Sequence, residues 1–367
     1  MKLYKKVSII VTSLILLAIL GGFIIVANPP SWLIKAVAVY KIKHLRLTLE
    51  DGLHAVLTGT GSPLPDIKRA GPSVAIKAGN KLFIVDTGDG SARNLQLAGL
   101  NIGRVDAVFI THFHSDHIGG LGETMLQRWA AGGHNDQLPI YGPIGTSIVV
   151  EGLKIAYAQD KGYRITHHGE NTLPPSGAGG KAIEFDLGRD PLAGKIIYDG
   201  EGVKITAFNV NHAPVYPAVG YKFEYKGRSI VISGDTVYTE NLVVQSKGVD
   251  LLICEALNQE LVKILNQNAN LTGSSTAEKI TKDIQTYHIS PEQAAQVAAK
   301  AEVRYLLLTH ILPPLPSILL HNVFLGDARK IYKGKIDIGR DGMLISLPAN
   351  SKSIKTKYLF GYMKFLQ

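Results

Sequence analysis

Residues 111–120 read Thr111-His112-Phe113-His114-Ser115-Asp116-His117-Ile118-Gly119-Gly120, which puts three imidazoles and a carboxylate within six positions. Such a mixture of borderline-soft nitrogen and hard oxygen donors suits zinc and related divalent ions. The preceding run, Val105 to Ile110, reads as a buried strand, so the donors sit where a strand turns into a loop. On that turn, His112 and His114 can face one ion while Asp116 and His117 face another.

His-x-His-x-Asp-His followed by Gly-Gly resembles the signature of the metallo-β-lactamase superfamily of binuclear metallohydrolases. Later positions match that family's motifs in order. His212 stands in Asn209–Pro214, Asp235 in Val231–Thr236, and His310 ends the apolar run from Tyr305. Asp86, in Phe83–Gly88, matches an early aspartate that supports a ligand from behind. The resemblance covers roughly residues 52–347. It implies an α+β fold, a four-layer αββα sandwich with metals at one edge. It also implies a ligand set: His112, His114 and His212 on one metal, Asp116, His117 and His310 on the other, Asp235 bridging. Two Zn2+ are the expected ions, other divalent ions being possible. Ions about 3.5–4 Å apart leave room for a bridging water, which they deprotonate near neutral pH to give the nucleophile.

Gly59–Pro63, Leu138–Pro143, Cys254-Glu255-Ala256 and His288-Ile289-Ser290 resemble the branch containing ribonuclease Z and arylsulfatase-like proteins. In that branch a glutamate and a histidine cooperate near the leaving group. His288 is thus the expected general acid, with Glu255 orienting it and Asp116 beside them as a further catalytic candidate. The leading expectation is a membrane-anchored dizinc hydrolase of phosphodiester or sulfate esters, arylsulfatase-like, acting on a small anionic ester. The alternative is a ribonuclease Z-type endonuclease processing tRNA 3′ ends. Such enzymes usually carry a long arm between the third and fourth metal motifs, but here only 23 positions separate His212 from Asp235. Nucleic acid is therefore not favoured. A lactonase or thioesterase, or a metal-binding protein without turnover, is less expected. The relatives' habit implies a homodimer.

The remaining chain must position these groups. With 367 residues, 46% hydrophobic, and 38 glycines, it can bury a core joined by tight loops. No repeat, heptad or extended low-complexity tract is present. The one cysteine, Cys254, lies in an apolar run and reads as core. The net charge of +9 favours anionic partners, although part of it lies at the chain ends. Residues 7–27 carry no charge, enough to span a bilayer core of about 30 Å. Lys2, Lys5 and Lys6 precede that stretch, which favours an inside N-terminus and an extracytoplasmic enzyme. The expected organisation is a signal anchor over 1–30, a juxtamembrane connector over 31–50, the hydrolase over 51–350 and a basic tail over 351–367. Strands are expected at Leu53–Thr58, Ser73–Lys77, Lys81–Val85, Val203–Val210, Tyr221–Tyr225 and Ser229–Ile232. Helices are expected near 90–100, 121–131 and 291–301. An insertion around Ala158–Asp199, with glycines after Pro174-Pro175, reads as a loop able to close over the site.

Overall fold

The computed structural model describes residues 29–44, 46–271 and 274–360, which divide into two units, Met1–Leu47 and Thr48–Gln367. In the first unit, the stretch expected as a connector forms helix α1 (Ser31–His44). Its 14 residues include Lys35, Lys41 and Lys43, too short and too charged for a span that needs about 20 apolar residues. The membrane span expected over 7–27 lies outside the described residues. Among those described, no helix is long and apolar enough to cross a membrane, which corrects the expectation of a membrane helix ahead of the sandwich.

The second unit contains fifteen strands among its described residues. Those of the first half are β1 (Gly52–Gly59), β2 (Ser73–Ala78), β3 (Lys81–Val85), β4 (Ala107–Phe109), β5 (Leu138–Pro143) and β6 (Gly180–Phe185). Next come β7 (Gly194–Gly200), β8 (Val203–Asn209), β9 (Val219–Tyr225), β10 (Arg228–Ile232), β11 (Leu251–Leu257) and β12 (Tyr305–Leu312). The chain closes with β13 (Lys335–Ile338), β14 (Met343–Pro348) and β15 (Lys355–Tyr358). One sheet runs β15-β14-β1-β2-β3-β4-β5-β6, the other β13-β12-β11-β10-β9-β8-β7.

Alternation explains why the two sheets stack. Leu53, Ala55 and Leu57 of β1, and Val74, Ile76 and Ala78 of β2, point between the sheets toward Tyr221, Phe223, Ile253 and Leu307 of the other. Phe109 anchors this layer, its ring edge-on to Tyr221 at 5.5 Å and to Phe223 at 5.7 Å. The opposite face of the second sheet is apolar too: Val231, Leu252, Cys254, Leu306 and Leu308 pack against Ala294, Ala295, Val297 and Ala298 of a helix at Pro291–Lys300. Ser290 caps that helix with a reciprocal Gln293 contact, so its start is sharply defined.

Parallel pairing runs through β3-β4-β5-β6 and through β10-β11-β12-β13. Parallel neighbours need long crossovers. Helix α2 (Ser91–Leu97) makes the first, followed by α3 (Ser115–Ile118) and α4 (Leu121–Gly132). Their return loops gather at the carboxyl ends of the strands, where ligands bind in open parallel sheets.

The expected insertion loop is ordered instead. After α5 (Thr146–Ala156) and α6 (Ala158–His168), Gly180–Phe185 pairs along all of β5 as β6. Its glycines serve close packing: a Cβ on Gly177 would lie 1.7 Å from the His134 carbonyl oxygen, and one on Gly180 2.3 Å from Ile140. The segment after 350, expected as a basic tail, contributes β15 at the sheet edge. Every side chain of β15 is exposed, so hydrophobic patterning had no signal there.

Asp341, in the turn between β13 and β14, holds the loop that borders the site. Its Oδ1 accepts from Thr60 N–H (2.9 Å) and Thr60 Oγ1 (2.7 Å), and its Oδ2 from Ala70 N–H (2.6 Å) and Asn94 Nδ2 (2.9 Å). Burial still pushes its carboxyl up to about 6, against about 4 for an ordinary aspartate. The raised folded value means the stability tied to Asp341 is complete below about pH 4 and is lost as pH rises through about 6. Asp341→Asn removes that titration. The unfolding free energy of wild type relative to the variant should fall by about 2–3 kcal/mol between about pH 4 and pH 7, read by urea unfolding. A difference independent of pH contradicts this account.

Candidate metal centre

Three predicted donors stand just beyond strand ends, and Asp116 and His117 lie in the short helix α3. His112 follows β4 by three residues, His212 follows β8 by three and Asp235 follows β10 by three. Gly234 makes the last of these turns at φ +61°, where a side chain would be strained and its Cβ would lie 2.7 Å from the Val219 carbonyl oxygen. His310 lies inside β12 but outside its ladder. Glu255 pairs with Thr309 and Ala256 with Ile311, leaving His310 as the extra residue of a bulge at φ +47°. Asp86, just past β3, is also left-handed at φ +55°. Backbone of this kind persists only where its surroundings hold it, and it clusters at functional sites.

Hydrogen bonds behind the imidazoles decide which nitrogen points inward. His212 donates from Nδ1 to the Tyr287 carbonyl oxygen at 2.8 Å. The Nδ1 of His117 lies 2.8 Å from Asp86 Oδ2. Asp86 in turn accepts from Thr111 N–H and Thr111 Oγ1, both at 2.8 Å, and that hydroxyl lies 3.0 Å from His112 Nδ1. The outward nitrogens thereby carry the protons, and Nε2 of His112, His117 and His212 is left as a lone-pair donor. Asp86 thus touches one predicted donor, His117, from behind. Thr111 and the Tyr287 carbonyl share that work, and neither carried a sequence signal beyond adjacency to a histidine.

Two clusters result. In the first, His114 Nδ1 lies 2.9 Å from His112 Nε2 and 3.3 Å from His212 Nε2, and both Nε2 atoms lie 3.9 Å from Asp235 Oδ2. In the second, His310 Nε2 lies 3.3 Å from Asp116 Oδ2 and 3.4 Å from Asp235 Oδ2. His117 Nε2 completes it, 3.6 Å from Asp116 and 3.4 Å from Asp235 Oδ1. All seven predicted donors therefore come together, with Asp235 between the clusters.

The donor chemistry fits cations. His117 Nε2 and Asp235 Oδ1 are buried without a hydrogen-bond partner, a costly state for polar atoms that a metal would relieve. Burial and the neighbouring imidazoles hold His112 well below the usual range, and burial takes His212 down to about 4, so both are neutral donors. Burial works against a charged His310, but Asp235 and Asp116 outweigh it and push it up to about 9. Burial alone would raise Asp235, but the positive charges of His310 and His117 bring it well below the carboxylate range. Without metal, protons occupy the positions a divalent ion would take.

His288 and Glu255 lie against the second cluster. His288 Nδ1 is 2.9 Å from both carboxylate oxygens of Glu255, and Glu255 Oε1 also accepts from Thr236 N–H at 2.7 Å. The His288 ring lies 5.4 Å from that of His310 and 5.1 Å from that of His212. A carboxylate that grips one nitrogen leaves the other to exchange a proton with a bound substrate. His167 and His168, in the insertion, are exposed at the end of α6.

Comparison with known proteins agrees with this geometry. Residues 67–271 match the family described as metallo-β-lactamase superfamily. A protein named ribonuclease Z from Mycolicibacterium paratuberculosis is 34% identical over 301 residues, 82% of this chain and 100% of its own. Another ribonuclease Z, from Mycolicibacterium gilvum, is 36% identical over 265 residues, 72% of this chain and 85% of its own. Human tRNase Z, short form, shares the fold at a TM-score of 0.56 and 23% identity, covering 80% of this chain and 99% of that one. The metallo-β-lactamase-fold protein YhfI of Bacillus subtilis does likewise at 0.56 and 21%, covering 81% and 100%. These relatives favour the ribonuclease Z alternative over the arylsulfatase-like reading. Together with the lack of a membrane-crossing helix among the described residues, they overturn the expected membrane-anchored, extracytoplasmic placement.

Asp86 gives a direct test of the support behind the donors. Asp86→Ala should weaken zinc binding about 10- to 100-fold, as loss of a ligand's outer partner does elsewhere, read by competition with a chromophoric chelator. Unchanged affinity would show that the Asp86–His117 contact does not orient a ligand. The chain belongs to the metallo-β-lactamase superfamily of hydrolases, among relatives named ribonuclease Z.

Proposed function

We propose that this protein is a dizinc phosphodiesterase of the ribonuclease Z type that cuts RNA, with precursor tRNA the first substrate to test. The observation that carries the reading is the His288–Glu255 pair set against the second donor cluster, in a chain whose relatives are named ribonuclease Z. His112, His114, His212 and Asp235 would hold one ion and Asp116, His117, His310 and Asp235 the other. When bound, such ions lower the pKa of water and offset charge on phosphoryl oxygens.

The chain's own residues do the rest. Asp235 and Asp116 supply the negative charge that keeps two cations in a buried site. His288 stands at the rim of the cluster, where its free nitrogen can protonate the departing alkoxide of a nucleotide. Glu255 holds the imidazole in that tautomer and stabilises the proton on it, and burial raises the Glu255 carboxyl in spite of His288. A homodimer belongs to the same reading. Ile148 and Ile155, seven apart on α5, are exposed together and offer a self-association face.

Leaving-group chemistry separates proton transfer from mere structural support. A ribose alkoxide needs a proton, whereas p-nitrophenolate leaves without one. His288→Ala should lower turnover of precursor tRNA about 100-fold or more while bis-p-nitrophenyl phosphate hydrolysis falls far less. Equal losses on both substrates would remove His288 from the acid role. Turnover confined to p-nitrophenyl sulfate would restore the sulfate-ester reading and reject the ribonuclease one.

A further inference from the structure

The Ala158–Asp199 insertion supplies no donor to the metal centre. Where its first helix, α6, meets α4, α5 and the turns into β5 and β6, there is a cavity of about 360 Å³. Pockets built for one small ligand run from about 300 to 1,000 Å³. It shares no lining residue with the cleft that reaches Asp116.

The lining is mostly apolar. Met125, Leu126 and Trp129 come from α4, Leu153 from α5, Tyr157 from the α5–α6 junction and Ala178 from the turn into β6. Two glycines let neighbouring side chains lie against bare backbone. A Cβ on Gly122 would lie 2.5 Å from the Tyr157 ring, and one on Gly179, at φ +91°, 3.0 Å from the Lys154 stem. From Gly122 to Trp129 the α4 wall runs about 10 Å, at about 1.5 Å per residue. A narrow apolar wall of that length suits an unbranched chain.

The polar groups of the pit divide by what they already hold. Trp129 Nε1 donates to the Pro174 carbonyl oxygen at 2.8 Å, and Gln137 Nε2 to that of Ala178 at 3.1 Å, so both serve the fold. Lys154 pairs with Glu151 at 2.8 Å. Lys161 and the Tyr157 hydroxyl are half-buried and have no hydrogen bond or ion pair among the described residues. They stand four apart, so at the start of α6 they share a face. No aspartate or glutamate lines the pit. An ammonium and a hydroxyl without partners, set in an apolar wall, call for an anionic head that accepts from both.

We propose that this pit binds a medium-chain carboxylate. The tail lies along Met125, Leu126 and Leu153, and the head accepts from Lys161 Nζ and the Tyr157 hydroxyl. The site is independent of which ester the metal centre cuts.

The test is isothermal titration calorimetry of the zinc-loaded full chain with hexanoate, octanoate and octanamide. Octanoate should bind about fifteenfold tighter than hexanoate, because each buried CH₂ is worth about fourfold. A carboxylate held by zinc alone would show no such dependence on its tail. Lys161→Ala should weaken octanoate about fivefold and change octanamide far less. Lys161→Gln keeps much of the stem, removes the charge and should give the same loss. Ala158→Trp, at an exposed position that borders the pit, should block both octanoate and octanamide. All three changes lie at exposed or half-buried positions of α6, so the melting temperature should stay at the wild-type value. Wild type that binds no octanoate, or binds hexanoate as tightly, overturns the proposal. Octanoate bound equally well by wild type and all three variants sits elsewhere, at the metal ions, and overturns it too.

Discussion

One buried carboxylate organises this molecule. Asp235 lies within 4.0 Å of imidazole nitrogens from His112, His117, His212, His288 and His310. A lone ion at such a depth costs far more than a folded domain can spare, so positive charge must accompany it. Imidazolium can supply that charge in part. A pair of divalent cations supplies it fully, and leaves the histidines as neutral donors.

The demands of that carboxylate run outward through both sheets. His112, His114 and Asp86 come from loops beside the β1–β6 sheet and Asp116 and His117 from its short helix α3, while His212, Asp235, Glu255 and His310 come from strands or strand ends of the β7–β13 sheet. The centre therefore forms only when the two sheets are stacked in register, and the Phe109, Tyr221 and Phe223 layer fixes that stacking. The bulge at His310 shows the local cost: a ladder position is given up so that one imidazole can face the cluster. Asp341 does the corresponding work at the mouth, tying Thr60, Ala70 and Asn94 to one carboxylate.

Much of this was legible in the order of residues because the donors are polar groups at the ends of apolar runs. Val231-Ile232-Ser233-Gly234-Asp235 announces a strand, a tight turn and a carboxylate without any structure, and His112 to His117 announces more. The His310 bulge was invisible, since a bulge leaves composition unchanged and shows only in the partner strand's register. The glycines after Pro174 misled for a physical reason: glycine permits close approach as well as freedom, and here the approach to His134 and Ile140 decides. Strand β15 escaped because an edge strand exposed on both faces has no apolar period. The connector's helix escaped because its polar and apolar residues follow neither period cleanly.

Seven side chains converge where two cations would bind. Anomalous diffraction at the zinc edge from crystals of the zinc-loaded protein tests this most directly. It should show two peaks, one among His112, His114 and His212, the other among Asp116, His117 and His310, with Asp235 touching both. A single peak, or zinc bound away from Asp235, would contradict the account.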